Sequence, residues 1–398
     1  MKKNNTTGYT TKKPRHRKRS KRNPTNMDLS SAPPMQTVGI DLGDKTSRYH
    51  VVDQAGVMKK EGGTATTKKG MAETFAGMTR SRIALEVGTH SAWVSRLLAS
   101  FGHEVIVANA RRVRAISDNN SKDDRMDAQL LARLARVDPA LLYPIRHRTA
   151  EAQQHLAMIR ARAALVDGRT ALINTARGLV KAFGERLAAC DADQMGVDKL
   201  KGLEPAEQAA LAGLLRVVEA TTEQIQEYDQ QIAEIARKHY PETALLQQVH
   251  GVGLLIALTF ILTLEDAERF ERSRDVGCYV GLRPKRKDSG ESQPELNITK
   301  EGDVYLRRLL VQGAHCILSP RGPDTDLKRW GLKLAGEGEK KVGGKESQSK
   351  KPKKSKKAKK RAVVAVARKL AILLHSLWVT GEVYEPLRNS QAAAAAAA

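Results

Sequence analysis

A chain of 398 residues is long enough to bury more than one core, and its length suggests two or three domains. The formal net charge of +24 points to a polyanionic partner. Cys190, Cys278 and Cys316 are too far apart for a disulfide framework or a zinc site of paired spacing, and no apolar run reads as membrane-spanning, so the protein reads as cytoplasmic with buried, reduced thiols.

Residues 1–34 form a basic tail, in which Lys2 to Arg22 holds ten basic residues and no acidic one. An α/β pattern fills residues 35–148. Thr37–Ile40 and Ser47–Asp53 carry strand signals on either side of a turn at Gly43–Lys45. Ile83–Leu85 reads as a buried strand, Ala92–Ser100 as an amphipathic helix and Glu104–Ala108 as a further strand. Helices follow from about Ala110, and Asp124–Arg136 is well patterned, with Leu130, Leu131 and Leu134 on its apolar side.

Residues 149–242 change to long helices. Leu211, Leu214, Val218, Thr221, Ile225, Tyr228, Ile232 and Ile235 alternate three and four apart, the a/d seam of a coiled coil. Such a seam closes either on the helix near Leu156–Phe183 or across a dimer. Residues 243–388 form a third, mainly helical region that opens with Val249-His250-Gly251-Val252-Gly253 before the apolar helix Leu254–Leu264. That glycine turn is either a helix-hairpin-helix phosphate contact or a plain interhelical turn. A Lys-rich insert, residues 336–361, precedes a last apolar helix, Ala362–Val379; within it Lys340 to Arg361 holds twelve basic residues and one Glu. The two basic segments therefore hold nearly all the net charge. They are too poor in large apolar side chains to order themselves, and read as phosphate-backbone contacts driven by counterion release or as solubilising tails. Residues 389–398 end in an alanine run with no fold signal.

Four acids carry the chemical argument. Asp41 ends the first strand, Glu86 ends another, and Asp124 and Asp127 stand three apart on one helix face. In ribonuclease-H-like folds two adjacent strand ends and a nearby helix meet at one point. Carboxylates gathered there need divalent cations to offset their repulsion, and hard oxygen ligands suit Mg2+ or Mn2+. Two such ions can clamp the attacking and leaving oxygens of a phosphoryl transfer. Taken singly, each acid is equally a turn former or a helix-start charge. An Asp before a glycine turn also occurs in actin-like kinases, but their further glycine-rich phosphate motifs and duplicated domain are missing from this sequence.

Val38-Gly39-Ile40-Asp41, Ala84-Leu85-Glu86-Val87-Gly88-Thr89 and Asp124-Arg125-Met126-Asp127-Ala128 together resemble the DEDD motifs of the insertion sequence one-hundred-and-ten family of transposases. Gly281-Leu282-Arg283-Pro284, Asp288-Ser289-Gly290, Ile298-Thr299-Lys300-Glu301-Gly302-Asp303 and Leu306-Arg307-Arg308-Leu309-Leu310 resemble, in order, that family's C-terminal domain. The resemblance spans about Thr37 to Leu387. It implies an α/β ribonuclease-H-like (RuvC-like) N-terminal domain, a helical coiled-coil segment and a mainly α C-terminal transposase domain. It implies a metal site at Asp41, Glu86, Asp124 and Asp127, a catalytic serine at Ser289, and donor and target DNA paired with a structured bridge RNA. The long basic tail and the Lys-rich insert depart from the family's pattern.

From the residues alone, Ser289 sits in a loop where Arg283, Lys285, Arg286 and Lys287 would stabilise a charged phosphorane and Gly290 would admit DNA backbone. A solvated polar loop is the alternative, and Ser292 is the nearby competitor. Recombination of two DNA partners leads to the expectation of a homo-oligomer, a dimer or tetramer. The other functions compatible with the sequence are a metal-dependent, Holliday-junction-type endonuclease needing only the four acids, and a non-catalytic nucleic-acid-binding protein.

Overall fold

The computed structural model describes residues 36–109, 124–286, 289, 292, 294, 296–336 and 356–391. The basic tail, the helices expected from about Ala110, most of the Lys-rich insert and the alanine run lie outside the described residues. The chain divides into two units, Met1–His147 and Arg148–Ala398.

The first unit is built on a mixed five-stranded sheet. Its strands are β1 (Gln36–Asp41), β2 (Thr46–Asp53), β3 (Met58–Ala65), β4 (Arg82–Glu86) and β5 (Glu104–Ala108), in the order β3-β2-β1-β4-β5. β1 pairs antiparallel with β2 and parallel with β4, and β4 pairs parallel with β5. The parallel pairs need crossovers, supplied by α1 (Lys68–Phe75) and α2 (Ser91–Ser100). The two central strands are covered on both faces, which is why they read as continuous apolar runs rather than as alternation. Val38, Ile40, Ile83 and Leu85 bury one face with Met71 and Phe75 of α1 and Val94 and Leu98 of α2. Ala84, Ile106 and Ala108 bury the other face with Leu131 and Ala135 of α3 (Asp124–Val137).

β3 and α1 are absent from the sequence reading. β3, Met-Lys-Lys-Glu-Gly-Gly-Thr-Ala, is an edge strand that is mostly exposed, so it has no apolar alternation to detect. It is held by its register with β2.

In the second unit α4 (Ala150–Leu179) and α5 (Pro205–His239) form a helical hairpin. Thr149 caps α4 through the Ala152 N–H, and α5 starts with a capping box between Glu204 and Glu207. Arg162 binds Asp229 through two hydrogen bonds of 2.6 and 2.9 Å, and Arg169 donates to Thr222 at 3.1 Å. Both pairs step seven residues in opposite directions, so they share one antiparallel register. Continuing it sets Ile173 opposite Val218 and Ile159 opposite Ile232, and all four are buried. The seam therefore closes within the chain, against α4. Its a positions, Leu211, Val218, Ile225 and Ile232, are buried as expected, but Leu214, Thr221, Tyr228 and Ile235 are only half-buried. Leu215, Thr222 and Ala236, one residue later, take the inner places. A helix held against one partner buries a wider stripe than a strict coiled-coil seam.

The rest of the unit surrounds α6 (Leu254–Leu264), which is buried on every side from Ile256 onward and packs with α7 (Val304–Ile317) and α9 (Lys356–Thr380) in one core. α8 (Asp326–Leu334) packs against α9. Two expectations are corrected here. The last helix includes Lys356–Arg361 ahead of the expected start at Ala362, so the end of the Lys-rich insert is helical. By length and composition Lys357–Thr380 also suffices to cross a membrane, yet half of its most apolar 18-residue stretch is buried inside the protein as part of the core. The three cysteines are free, as expected, but Cys316 is exposed and the other two are only half-buried.

Candidate active site

Gly39 decides how the first unit's site is assembled. A Cβ on Gly39 would lie 1.9 Å from the Ala128 carbonyl oxygen and 2.5 Å from the Ala132 nitrogen, so α3 rests directly on the β1 backbone. The helix runs antiparallel to β1 and β4. Its C-terminal end meets the starts of the strands, where Arg82 Nη1 donates to the Ala135 carbonyl at 3.2 Å and Arg136 Nη1 to the Gln54 carbonyl at 3.1 Å. Its first turn, with Asp124 and Asp127, therefore lies at the strands' C-terminal ends, where Asp41 and Glu86 are.

The faces agree as well as the ends. Gly39 pairs with Ala84, and both face α3; Asp41 and Glu86 follow each by two residues and so share that face. Asp127 lies one turn before Leu131, which packs on the sheet, and Asp41, Glu86 and Asp127 are all half-buried. The backbone thus brings three of the expected site residues, and the helix start at Asp124, to one corner. Among the described residues, which do not include the Asp124 side chain, no three His, Cys, Asp or Glu side chains converge tightly enough to hold one ion. Mutual repulsion opposes such convergence until a cation neutralises it. The donor set itself, carboxylate oxygens alone, fits a hard divalent ion.

Beside this corner is a cavity of 270 Å³ that was not legible in the sequence, because β3 forms one side of it. Arg48, Tyr49, His50, Glu61, Gly62 and Arg125 line it. Arg125 of α3 is ion-paired with Glu61 of β3, and His50 Nδ1 lies 3.8 Å from the same carboxylate. Burial pushes the His50 pKa below the usual histidine value, Glu61 works against that shift, and Arg133 adds to it.

The second expected centre is a finger on the second unit. The Lys285 N–H donates to Asn297 at 2.9 Å and the Thr299 N–H to Arg283 at 2.8 Å, forming its base. Two glycines anchor that base at positive φ of 72°: a Cβ on Gly281 would meet the Glu301 oxygen at 2.1 Å, and one on Gly302 the Tyr279 oxygen at 2.0 Å. Arg307 Nη1 holds both neighbouring carbonyls, Val280 at 3.1 Å and Glu301 at 2.8 Å. At the tip Ser289 and Ser292 exchange backbone hydrogen bonds of 3.2 and 3.0 Å. Both are exposed, and as a directly opposed pair they share one face of the finger, so geometry alone does not separate the expected nucleophile from its competitor. Arg283, Lys285 and Arg286 are exposed along the same finger, while Lys287, Asp288 and Gly290 lie outside the described residues.

Both centres fall within matches to known families. Residues 38–184 match the DEDD transposase profile of the IS110 type, and residues 243–326 match the Transposase IS116/IS110/IS902 family. The transposase for insertion sequence element IS1111A of Coxiella burnetii is 30% identical over 271 residues, which cover 67% of this chain and 69% of that protein. The chain belongs to the IS110 family of DEDD transposases. A probable family 20 transposase of Pseudomonas aeruginosa is 28% identical over 74% of this chain and 88% of its own length. The transposase for insertion sequence element IS1328 of Yersinia enterocolitica is 27% identical over 71% of the chain and 84% of its own length. As a member of the family the protein is a DNA transposase, with an RNase-H-like first domain, DNA as substrate and a dependence on divalent metal.

Proposed function

We propose that this IS110-family transposase cuts and rejoins donor and target DNA under the guidance of a structured bridge RNA, with Ser289 as nucleophile. In this reading Asp41, Glu86, Asp124 and Asp127 hold Mg2+ or Mn2+, and the protein works as a dimer or tetramer. The seating of α3 on Gly39 carries the reading, because it gathers two strand ends and a helix start at one corner. Bound there, divalent ions would neutralise the acids and polarise phosphate oxygens.

The serine step follows from its own chemistry. The Ser289 hydroxyl gives up its proton as Oγ attacks a DNA phosphorus; an Oγ–P bond forms, a P–O bond to one sugar breaks, and the departing sugar oxygen takes up a proton. The serine hydroxyl is a weak nucleophile at neutral pH, so the exposed Arg283, Lys285 and Arg286 serve to stabilise the charge on the phosphorane. Reversal of the step by a new sugar hydroxyl rejoins the strand without loss of bond energy.

The test is a covalent adduct. Wild type and Ser292→Ala should yield denaturation-resistant protein–DNA complexes, Ser289→Ala none, and an element-encoded RNA should co-purify with all three. Recombination by Ser289→Ala would overturn the serine assignment and leave the four acids, acting on water or a 3′-hydroxyl as in a junction-cutting endonuclease.

A further inference from the structure

Arg48 stands directly across β1–β2 from Asp41. Residues so opposed have Cβ atoms about 5 Å apart, so an arginine there would ordinarily close an ion pair with the aspartate. It does not. Among the described residues the Arg48 guanidinium has no hydrogen-bond or ion-pair partner, although it lies on the same sheet face as Asp41. Its side chain instead crosses to β3, where Gly63 is its register partner. A Cβ on Gly63 would lie 3.2 Å from Arg48 Nη1 and 3.8 Å from its Cδ, so the bare backbone of β3 is the floor on which the guanidinium rests.

The charges around it are already matched. Arg125 and Glu61, the other ionised pair of the 270 Å³ cavity, bind each other. Among the described residues Arg48 is thus a cation of the cavity lining with no ion-pair partner, exposed, and one strand away from the acid corner. A planar guanidinium offers two parallel N–H donors that match the non-bridging oxygens of a phosphodiester. Where the ions leave part of the acids' charge unbalanced, the carboxylates would repel the incoming DNA strand, and a cation at their edge offsets that repulsion.

We propose that Arg48 binds a DNA phosphodiester flanking the one cut at the acid corner, and so fixes the register of the strand in the site. It is a positioning residue, because it grips the substrate beside the reacting phosphate. This assignment rests on the reading of Asp41, Glu86, Asp124 and Asp127 as the metal site.

The experiment uses full-length protein with the element's joined ends, a target duplex and the element's own transcripts in Mg2+, comparing wild type with Arg48→Gln, Arg48→Lys and Asp41→Asn. DNA substrates carry single, uncharged methylphosphonates at successive positions around the cut. Arg48→Gln should lower kcat/KM about tenfold or more, mainly through KM, and Arg48→Lys should recover part of the loss. One flanking methylphosphonate should cost wild type a similar factor and cost Arg48→Gln nothing further. If Arg48→Gln cleaves like wild type, or stays sensitive to every methylphosphonate, while Asp41→Asn is inactive, the assignment of Arg48 is overturned and the acid site stands. If Asp41→Asn cleaves like wild type, both fall.

Discussion

At the scale of single residues, the position that most constrains the site is one with no side chain. Gly39 lets α3 settle on β1, and that contact sets where Asp124 and Asp127 lie relative to Asp41. Any side chain there meets backbone, which has no rotamer to yield. Overpacking a core ordinarily costs about 1–3 kcal/mol; Gly39→Ala is expected at or above the top of that range, about 3 kcal/mol, since a whole helix must shift. Urea denaturation of the variant should give a correspondingly lower midpoint, and strand cleavage should fall further than stability does, because the displaced helix carries two of the four acids. A variant with wild-type stability and cleavage would mean that α3 does not rest on this residue.

At the scale of elements, the helical hairpin shows what its sequence carried and what it did not. Its antiparallel register is stated by two polar pairs, Arg162 with Asp229 and Arg169 with Thr222. Asp229→Arg should set two cations against each other and lower the hairpin's stability by about 1 kcal/mol, the scale of a partly exposed ion pair. The exchanged double variant, Arg162→Asp with Asp229→Arg, should recover most of that loss in a thermal-melting cycle; no recovery would mean a different register. The heptad spacing made the seam legible, since Leu211, Val218, Ile225 and Ile232 needed only their period to be recognised. It left the partner open, and it assigned Leu214 rather than Leu215 to the interior, because a seam pattern cannot report how wide a stripe the facing helix covers. In the sheet, β1, β2, β4 and β5 were legible from their apolar runs. β3 was not, since its Lys, Glu and Gly residues lie on an exposed edge and its place comes from pairing with β2. The loss mattered for the site: the four acids could be read as strand-end and helix-face positions, whereas the Arg48 cavity exists only where β3 closes it.

At the scale of the whole molecule, charge is sorted rather than spread. Lys2–Arg22 and Lys340–Arg361 hold nearly all the excess positive charge, and one corner of the first unit gathers acids. Clustered carboxylates raise the free energy of the folded unit when no cation balances them, because the unfolded chain separates the charges. In the proposed metal site, stability and function are therefore opposed at Asp41. In EDTA, Asp41→Asn should unfold the first unit at a higher temperature than wild type, since one repulsive charge is gone. A divalent ion that binds only the folded form adds about 2.7 kcal/mol at a hundred times its Kd, which for a unit of this size raises the melting temperature by roughly 11 °C. Adding Mg2+ or Mn2+ should thus stabilise wild type by that order and leave Asp41→Asn nearly unmoved, reversing their ranking. Calorimetry of residues 36–147 and of the full chain measures both arms. Equal stabilisation of the two proteins would place the ion elsewhere, and a less stable Asp41→Asn in EDTA would show that Asp41 supports the fold instead of straining it.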